Sequence, residues 1–310
     1  MLLHADEIYE GDARDLLPLV APDSVALALW SPPYHVGKAY EEGVTVAEWE
    51  GLLREVIALH EPILKPGGFL VININDILAF PDPEMPRIQA DNVSHRRQQV
   101  TREQIEQAIA AHPDANRRQL AALLGCSEQT IDRRLNGNNA RGGKYQPQTR
   151  VKLAGPLLEE AAMEAGLYLH DRRVWLKDPA WVNSRWTSSS YRSVDDFEYL
   201  YVFWKAGVTK VDRGRLAHQE WGAWGSRGVW TIPSVRANDE HEAMFPSELP
   251  RRCIRLLTEP GELVLDCFAG SGTTAAVARE LGRRYIAFEL DPAYAQLARR
   301  RLLLARSGRG

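Results

Sequence analysis

One segment near the carboxyl end of the sequence constrains the fold more than any other. A short apolar run at residues 263–267 leads into a turn that contains Gly270 and Gly272, and a helical pattern follows at residues 273–281. This succession of strand, glycine turn and helix is typical of the ligand-binding edge of a doubly wound α/β sheet. A glycine turn of this kind also occurs as a bare connection between a strand and a helix.

The position of Glu289 narrows the choice of ligand. This residue ends the next apolar run, 17 residues after Gly272, about where an acidic side chain binds ribose hydroxyls. The segment lacks the third glycine of a dinucleotide fingerprint and the Gly-Lys-Ser/Thr ending of a P-loop. The sequence therefore predicts a nucleoside-type ligand without phosphates.

The rest of the chain alternates strand patterns with helical patterns. Strands are predicted at residues 25–30, 69–74, 174–176, 199–204 and 285–290, a turn at 65–68, and helices at 45–64, 151–166, 246–257 and 292–304. Such alternation predicts a parallel sheet with helices on both faces.

Residues 87–148 differ in character from the sequence around them, and three prolines between residues 81 and 86 mark the change. Three short helices are predicted there, at residues 101–112, 116–124 and 127–136. Residues 87–152 carry 12 Arg and Lys against 6 Asp and Glu, whereas the whole chain has a net charge of −3. This excess is expected where a segment meets phosphates, although a solvated basic linker has the same composition. We expect an insert at 87–148 within a discontinuous catalytic domain of residues 1–86 and 149–310.

The tetrapeptide Ser31-Pro32-Pro33-Tyr34 follows the predicted strand at 25–30. Consecutive prolines end strand hydrogen bonding and hold the neighbouring carbonyls in set directions. An adjacent aromatic ring offers a stacking face, which suits a site that grips a planar base. A plain rigid turn would use the same residues.

Together these segments resemble the DNA amino-methyltransferases, and in particular their circularly permuted β group. Ser31-Pro32-Pro33-Tyr34 resembles the catalytic tetrapeptide (Asp/Asn/Ser)-Pro-Pro-(Tyr/Phe/Trp), and residues 266–274 resemble the cofactor motif that follows it in this group. Segments at 11–13, 65–68, 241–246 and 289–292 are similar to further motifs in their expected order. The resemblance covers about residues 6–80 and 170–304. It implies an α/β, Rossmann-like methyltransferase fold, circularly permuted, here with a small all-α helix-turn-helix insert.

The resemblance also implies S-adenosyl-L-methionine as the cofactor and a role for each matching residue. Glu289 would hold the ribose hydroxyls, and Asp12 would lie near the adenine edge. The cofactor-binding set that the resemblance implies is Asp12, Phe245, Pro246, Asp266, Phe268, Ala269, Gly270, Ser271, Gly272, Thr273, Thr274, Glu289 and Leu290.

In the catalytic tetrapeptide, Ser31 and the Pro32 carbonyl would accept hydrogen bonds from the target amine, while Tyr34 stacks on the flipped base. These bonds would move the nitrogen towards sp³ and free its lone pair for in-line attack on the methyl group. No covalent intermediate is needed, and the Pro-Cys dipeptide of C5-cytosine methyltransferases is absent from the sequence. Serine at the first position is typical of N4-cytosine enzymes and aspartate of N6-adenine enzymes, but some adenine enzymes carry serine. The sequence favours cytosine N4, with adenine N6 as the alternative.

The insert matches the core pattern of a helix-turn-helix, with Ala121, Gly125 and Ile131 at packing and turn positions. The second helix of such a motif can lie in the major groove and contact base edges. A three-helix packing module that does not touch DNA is the alternative. The residues predicted to contact DNA are Arg118, Gln129, Thr130, Arg133 and Arg134 in the insert, and Arg185, Ser189 and Arg192 in a target-recognition region at about 175–240. The tryptophans at 221, 224 and 230 are expected in the core more than in base stacking.

Composition argues against several other classes of protein. No apolar run is long enough to span a membrane, the first residues lack the layout of a secretory signal, and the three cysteines are not spaced for disulfides or zinc. We expect a cytoplasmic enzyme that acts on double-stranded DNA in a restriction–modification or an epigenetic role, without a membrane or a metal. A cognate restriction endonuclease and a homodimer stay open.

Two rivals compete with this function, the first from another class of protein and the second within enzymes. One is a non-catalytic regulator that binds DNA and senses S-adenosylmethionine, and the intact amine-binding tetrapeptide argues against it. The other is a methyltransferase that acts on RNA or a small molecule, and the helix-turn-helix pattern argues against that one.

Overall fold

The computed structural model describes residues 2–33, 45–75, 77–81, 100–136, 149–178, 196–235 and 246–307. The chain divides into two compact units, Met1–Phe80 with Arg150–Gly310 and Pro81–Thr149. The domain limits drawn from the sequence, 1–86 with 149–310 and 87–148, stay a prediction.

The strands contribute about half of the buried residues of the larger unit's core. They are β1 (Glu7–Glu10), β2 (Val25–Trp30), β3 (Leu64–Ile74), β4 (Ile77–Pro81), β5 (Thr149–Leu153), β6 (Leu167–Leu176), β7 (Phe197–Lys205), β8 (Val229–Thr231), β9 (Leu263–Asp266) and β10 (Arg284–Glu289). Among the described residues, eight of them form one sheet in the order β1-β10-β9-β2-β3-β7-β6-β8, and β4 pairs with β5 separately.

The central part of the large sheet is parallel, as the sequence predicts. Strands β1, β10, β9, β2 and β3 all run in the same direction. The expectation of a purely parallel sheet is wrong at β7, which is antiparallel to both β3 and β6. The apolar run of β7 carries no mark of its direction, because a strand that is buried on both faces has the same composition in either orientation.

Helices of the larger unit cover both faces of this sheet, and further helices belong to the smaller unit. The helices are α1 (Ala13–Leu16), α2 (Val46–His60), α3 (Arg102–Ala111), α4 (Arg117–Leu123), α5 (Glu128–Asn136), α6 (Gly155–Glu164), α7 (His218–Glu220), α8 (Glu248–Leu257), α9 (Thr273–Glu280) and α10 (Pro292–Ser307). Helices α1, α2 and α6 belong to the core on one face. Helices α8, α9 and α10 contribute to the core on the other. The predicted Rossmann-like arrangement, a doubly wound sheet with helices on both faces, is confirmed.

Several predicted boundaries are wrong, and two of them have identifiable reasons. The helix expected from residue 151 begins only at Gly155, because residues 149–153 pair with β4 and Pro156 suits a first helical turn. Strand β3 begins at Leu64, before the turn expected at 65–68. The turn survives as an irregularity within the strand, since the partners of Val25 and Leu27 are Leu64 and Phe69.

The smaller unit contains the three predicted helices, α3, α4 and α5. Thr101 and Asn116 form capping boxes at the starts of α3 and α4, so two helix starts agree with the sequence. The buried side chains of Ile105, Leu120 and Ile131 form its core. Gly125 has φ +62° between α4 and α5, a conformation that glycine adopts without strain.

Among the helices that the structure describes, none combines the length and the apolar composition needed to cross a bilayer.

Gly67, in the irregular part of β3, and Gly261 form a matched pair that tests how closely Gly67 approaches the Val208 main chain. Both have positive φ, +81° and +82°, but a Cβ on Gly67 would lie 2.2 Å from the Val208 carbonyl oxygen, whereas one on Gly261 meets open space. We expect Gly261→Ala to lower the free energy of unfolding by about 1–2 kcal/mol through backbone strain alone. Gly67→Ala should cost more, about 3–5 kcal/mol, because the main chain must also move. Urea unfolding followed by tryptophan fluorescence measures both, and equal losses would contradict the close contact.

Candidate functional site

Four strand ends form one edge of the large sheet. Because β1, β10, β9 and β2 are adjacent and parallel, their carboxyl ends lie side by side. The residues at or just beyond these ends are Asp12, Glu289, Asp266 and Ser31. From β9 the chain continues through α9 to β10 on one side, and from β2 through α2 to β3 on the other. The sheet order thus reverses between β9 and β2, where doubly wound sheets form their ligand crevice.

Trp30 joins the segment Ser31-Pro32-Pro33 to the glycine turn. It is the last residue of β2 and is fully buried. Its ring meets the Phe268 ring edge-on, with centroids 5.4 Å apart and planes at 73°. This contact brings Ser31 and Pro32, the next residues along the chain, close to the turn after β9.

The Glu289 carboxylate holds two turns at this edge. Its Oε2 accepts a hydrogen bond from the Gly270 amide at 2.7 Å, and its Oε1 accepts one from the Asp291 amide at 2.9 Å. The Ala269 amide donates to the Phe288 carbonyl at 2.8 Å and joins the glycine turn to β10. Each carboxylate oxygen retains acceptor capacity for a ligand hydroxyl.

Asp266 is a buried acid at the centre of the edge. Burial raises the pKa of its carboxyl to about 7, and the charge of Glu289 adds to this. The Thr274 hydroxyl and the Phe268 amide, which donates to Oδ1 at 3.1 Å, offset part of the shift. The Thr274 hydroxyl is itself buried and has no hydrogen bond of normal geometry among the described atoms. A positively charged ligand group beside Asp266 would favour its ionised form.

Other predicted cofactor residues have structural partners. The Arg301 guanidinium donates to Ser271 Oγ at 3.4 Å and to Thr273 Oγ1 at 3.0 Å, so these side chains join α10 to the start of α9. Asp12 caps α1, and its hydrogen bonds with Arg14 lower the pKa of its carboxyl.

The structure places only part of the predicted site. Ser31, Pro32 and Pro33 follow β2, Pro246 is buried ahead of α8, and the Leu290 side chain is exposed. Tyr34, Phe245, Arg185, Ser189 and Arg192 lie outside the described residues, as do the side chains of Gln129 and Arg133.

The predicted DNA-contacting residues of the insert differ in their surroundings. Arg118 and Arg134 are exposed. Thr130 is half-buried, and its hydroxyl lies 2.9 Å from Ser127 Oγ at the start of α5. The described part of the insert, residues 100–136, has 5 Arg and 5 Asp or Glu. The positive excess of the segment therefore comes from the sequence on either side of the three helices.

Of the three tryptophans expected in the core, two are core residues, and Trp221 is partly buried and packs against the core. Trp224 and Trp230 are buried, and the Trp230 indole donates to the Trp224 carbonyl at 2.8 Å.

His60 supports the candidate site through a hydrogen bond to Trp30 that was not predicted from the sequence. Its Nε2 accepts a hydrogen bond from the Trp30 indole at 3.1 Å, and its Nδ1 lies 2.7 Å from the Val56 carbonyl. These partners assign a neutral ring protonated on Nδ1. Burial lowers the pKa of His60 to about 4. The position of His60 on the apolar stripe of α2 was the one signal in the sequence for this contact. The signal is weak, because buried histidines are common in protein cores far from any functional site.

Comparisons with known proteins agree with this geometry. A family model described as DNA methylase, for N6 and N4 methyltransferases, matches residues 25–300. The type II methyltransferase M.BglI of Bacillus subtilis is 61% identical over 296 residues, which cover 96% of this chain and 85% of that protein. M.XycI of Xanthomonas campestris pv. cyanopsidis is 28% identical, over 97% of this chain and 89% of that protein.

Solved structures share the fold. TTHA0409, a putative DNA modification methylase from Thermus thermophilus in complex with S-adenosyl-L-methionine, superposes with a TM-score of 0.60 at 24% identity, over 99% of this chain and 96% of that one. The PvuII DNA methyltransferase (cytosine-N4-specific) superposes with a TM-score of 0.57 at 21% identity, over 96% of this chain and 86% of that one.

The His60 pKa predicts how stability responds to acid. The pKa is about 4 in the folded protein against an ordinary value of 6.5. Stability is therefore fully present above pH 6.5 and falls as the pH drops towards 4, by about 2 kcal/mol at pH 5. His60→Gln retains an acceptor for Trp30 and cannot titrate.

We expect the wild type to lose about 2 kcal/mol more than His60→Gln between pH 7.5 and 5, measured by urea unfolding. Asp266 titrates in a similar range but is common to both proteins, so its contribution cancels. Parallel pH profiles would show that His60 is not held neutral by the fold.

Proposed function

The chain belongs to the DNA methylase family, and we propose that it transfers a methyl group from S-adenosyl-L-methionine to the exocyclic N4 of cytosine in duplex DNA. The observation that carries this proposal is the contact between Trp30 and Phe268. It joins an amine-binding sequence, Ser31-Pro32-Pro33, to a cofactor-type turn at the crevice of a doubly wound sheet.

The residues of the turn suit S-adenosylmethionine, the cofactor of this family. When bound, this cofactor supplies a methyl group activated by a sulfonium centre. Asp266, whose pKa is raised to about 7 by burial, would pair with the positive charge of the ligand, and Glu289 has spare acceptor capacity for ribose hydroxyls. The buried Thr274 hydroxyl, which lacks a hydrogen bond of normal geometry among the described atoms, offers a further polar group.

The amine would be held by oxygen atoms at the end of β2. Ser31 Oγ and the Pro32 carbonyl would accept its two hydrogens, which turns the nitrogen lone pair out of conjugation and towards the methyl group. Positioning supplies most of the rate gain, because the methyl donor is already activated. Tyr34, by resemblance to the family, would stack on the flipped base.

Serine at the first position of the tetrapeptide supports cytosine over adenine. Members of the family with serine there typically methylate cytosine N4, and the similar PvuII enzyme is described as cytosine-N4-specific. Adenine N6 is the alternative base.

The three-helix insert would bind DNA through α5. The buried Ala121 and Ile131 and the positive φ of Gly125 match the packing and turn of a helix-turn-helix. In such a motif the second helix lies in the major groove. Arg118 and Arg134 are exposed arginines of the insert, and we propose that they contact DNA. Arg117 differs, because it forms an ion pair with Asp132.

A type II restriction–modification system is the proposed setting, since M.BglI and M.XycI are type II methyltransferases. A cognate endonuclease that cuts the same sequence would be the functional partner. Action in the cytoplasm and assembly as a homodimer are further proposals.

The methylated base identifies the reaction. Incubation with methyl-labelled S-adenosylmethionine and mixed-sequence duplex DNA should yield labelled N4-methylcytosine on nucleoside mass spectrometry. Ser31→Ala should lose most of this activity while its affinity for the cofactor changes little, because Ser31 would touch only the amine. Labelled N6-methyladenine would overturn the base assignment. Cofactor binding without labelled DNA would instead favour a sensor or another substrate.

Salt-dependent DNA binding tests the role of the insert. Arg118→Ala and Arg134→Ala should each weaken DNA binding and reduce the slope of log K against log salt by about one unit, as expected for a lost phosphate contact. Arg102→Ala is the matched control, because Arg102 is an exposed arginine of the same unit already paired with Glu106 at 2.7 Å. Fluorescence anisotropy with a labelled duplex measures all three. Equal slopes in every variant would favour a packing module that does not touch DNA.

A further inference from the structure

Helix α2 makes two side-chain hydrogen bonds to the chain segment that holds the amine-binding residues. Near its start, the Trp49 indole donates to the Pro33 carbonyl at 2.7 Å. At its end, His60 accepts from the Trp30 indole at 3.1 Å. Trp30 immediately precedes Ser31, and Pro33 immediately follows Pro32. Both bonds therefore enclose the two residues whose oxygens would hold the amine.

Trp49 is well placed to hold a fixed position. It is 3% exposed and lies on the buried stripe of α2 with Leu53 and Ile57. The helix start is secured by a capping box, in which Thr45 and Glu48 satisfy each other's backbone amides. The Trp49 amide donates to the Thr45 carbonyl at 3.0 Å, in the first turn of the helix.

The Pro33 carbonyl controls more than one group. It belongs to the planar peptide that joins Pro33 to Tyr34, so a hydrogen bond to it sets the orientation of that whole peptide. Proline fixes φ but leaves ψ free, so the two prolines alone do not determine this orientation.

We infer that Trp49 is a positioning residue for methyl transfer, whose indole N–H fixes the Pro33 peptide so that the amine meets Ser31 and the Pro32 carbonyl. This inference rests on the proposed function and adds to it a residue outside the catalytic tetrapeptide. Trp49 acts through main chain and does not touch the substrate.

Two substitutions separate the hydrogen bond from the packing of the ring. Trp49→Phe removes the donor and keeps an apolar ring. Trp49→His is smaller and more polar, but its imidazole coincides with the five-membered part of indole, so Nε2–H can occupy the donor position. A positioning role predicts a higher kcat for the histidine variant, whereas a packing role predicts a higher kcat for phenylalanine.

The matched control is Trp204→Phe. The Trp204 indole also donates a hydrogen bond, to Thr209 Oγ1 at 2.8 Å, but Trp204 pairs with Phe69, several residues before the site end of β3. We expect its kcat to equal that of the wild type.

The experiment measures kcat and KM for duplex DNA, cofactor Kd by calorimetry and the free energy of unfolding for all four proteins. Rates are expressed per cofactor-binding site, so that a loss of folded protein does not imitate a loss of kcat. Trp49→Phe should lower kcat about ten- to a hundredfold, the scale of a misplaced reacting group. Its cofactor Kd should stay within about twofold of the wild type, because the glycine turn is untouched. Trp49→His should recover part of the loss.

A kcat for Trp49→Phe equal to that of Trp204→Phe, or above that of Trp49→His, would overturn the inference while leaving the proposed function intact. If Trp49→Phe does not fold, a kcat for Trp49→His within about threefold of the wild type supports the inference, and a larger loss overturns it. A wild type that methylates adenine N6 changes the proposed base and leaves the comparison valid, since the same oxygens serve either amine. A wild type that methylates no DNA would overturn both proposals.

Discussion

The Trp30 side chain is the point on which the site depends. It packs edge-on against Phe268 on one side and donates its only polar hydrogen to His60 on the other. A buried indole without an acceptor would cost roughly 1–3 kcal/mol, so the neutral histidine is part of what allows a large aromatic ring at this position. The contact of this ring with Phe268 fixes the position of the end of β2 relative to the glycine turn after β9. The residues proposed to bind the amine and the turn proposed to bind the cofactor are thus held by core packing, where side chains have little freedom to shift.

The parts of the fold that the sequence predicted are those with local determinants. The starts of α2, α3 and α4 follow from capping residues that act within one helical turn, and strands β2, β9 and β10 follow from uninterrupted apolar runs. Features that depend on distant partners were not predicted. Strand β1 has a single buried residue among its four, and β4 and β5 are strands because they pair with each other. The site shows the same division, because its motifs were evident in the sequence, whereas the bonds of His60 and Trp49 exist only once α2 packs on the sheet.

The chain order of the sheet delays completion of the site. Strand β2 pairs with β9, and β1, near the amino end, pairs with β10, near the carboxyl end. Half of the crevice is therefore missing until the last strands have formed. Contacts of such sequence separation form late and slow folding, because the chain between them must first be ordered. The permuted order of the motifs leaves the final geometry of the strand ends unaffected, since the edge is defined by neighbouring strands and not by their order in the chain.

The pairing of β4 with β5 has a consequence for how such an enzyme can change over time. The chain departs along β4 at Ile77–Pro81 and returns along β5 at Thr149–Leu153, and the two strands are hydrogen-bonded neighbours. Exit and re-entry thus lie side by side, so a segment of any length between them adds little closure cost to the body. Recombination can therefore exchange or remove the segment between β4 and β5 without disturbing the large sheet that positions the candidate site. The inserted segment can then change during evolution while the larger unit that carries the proposed catalytic residues stays the same.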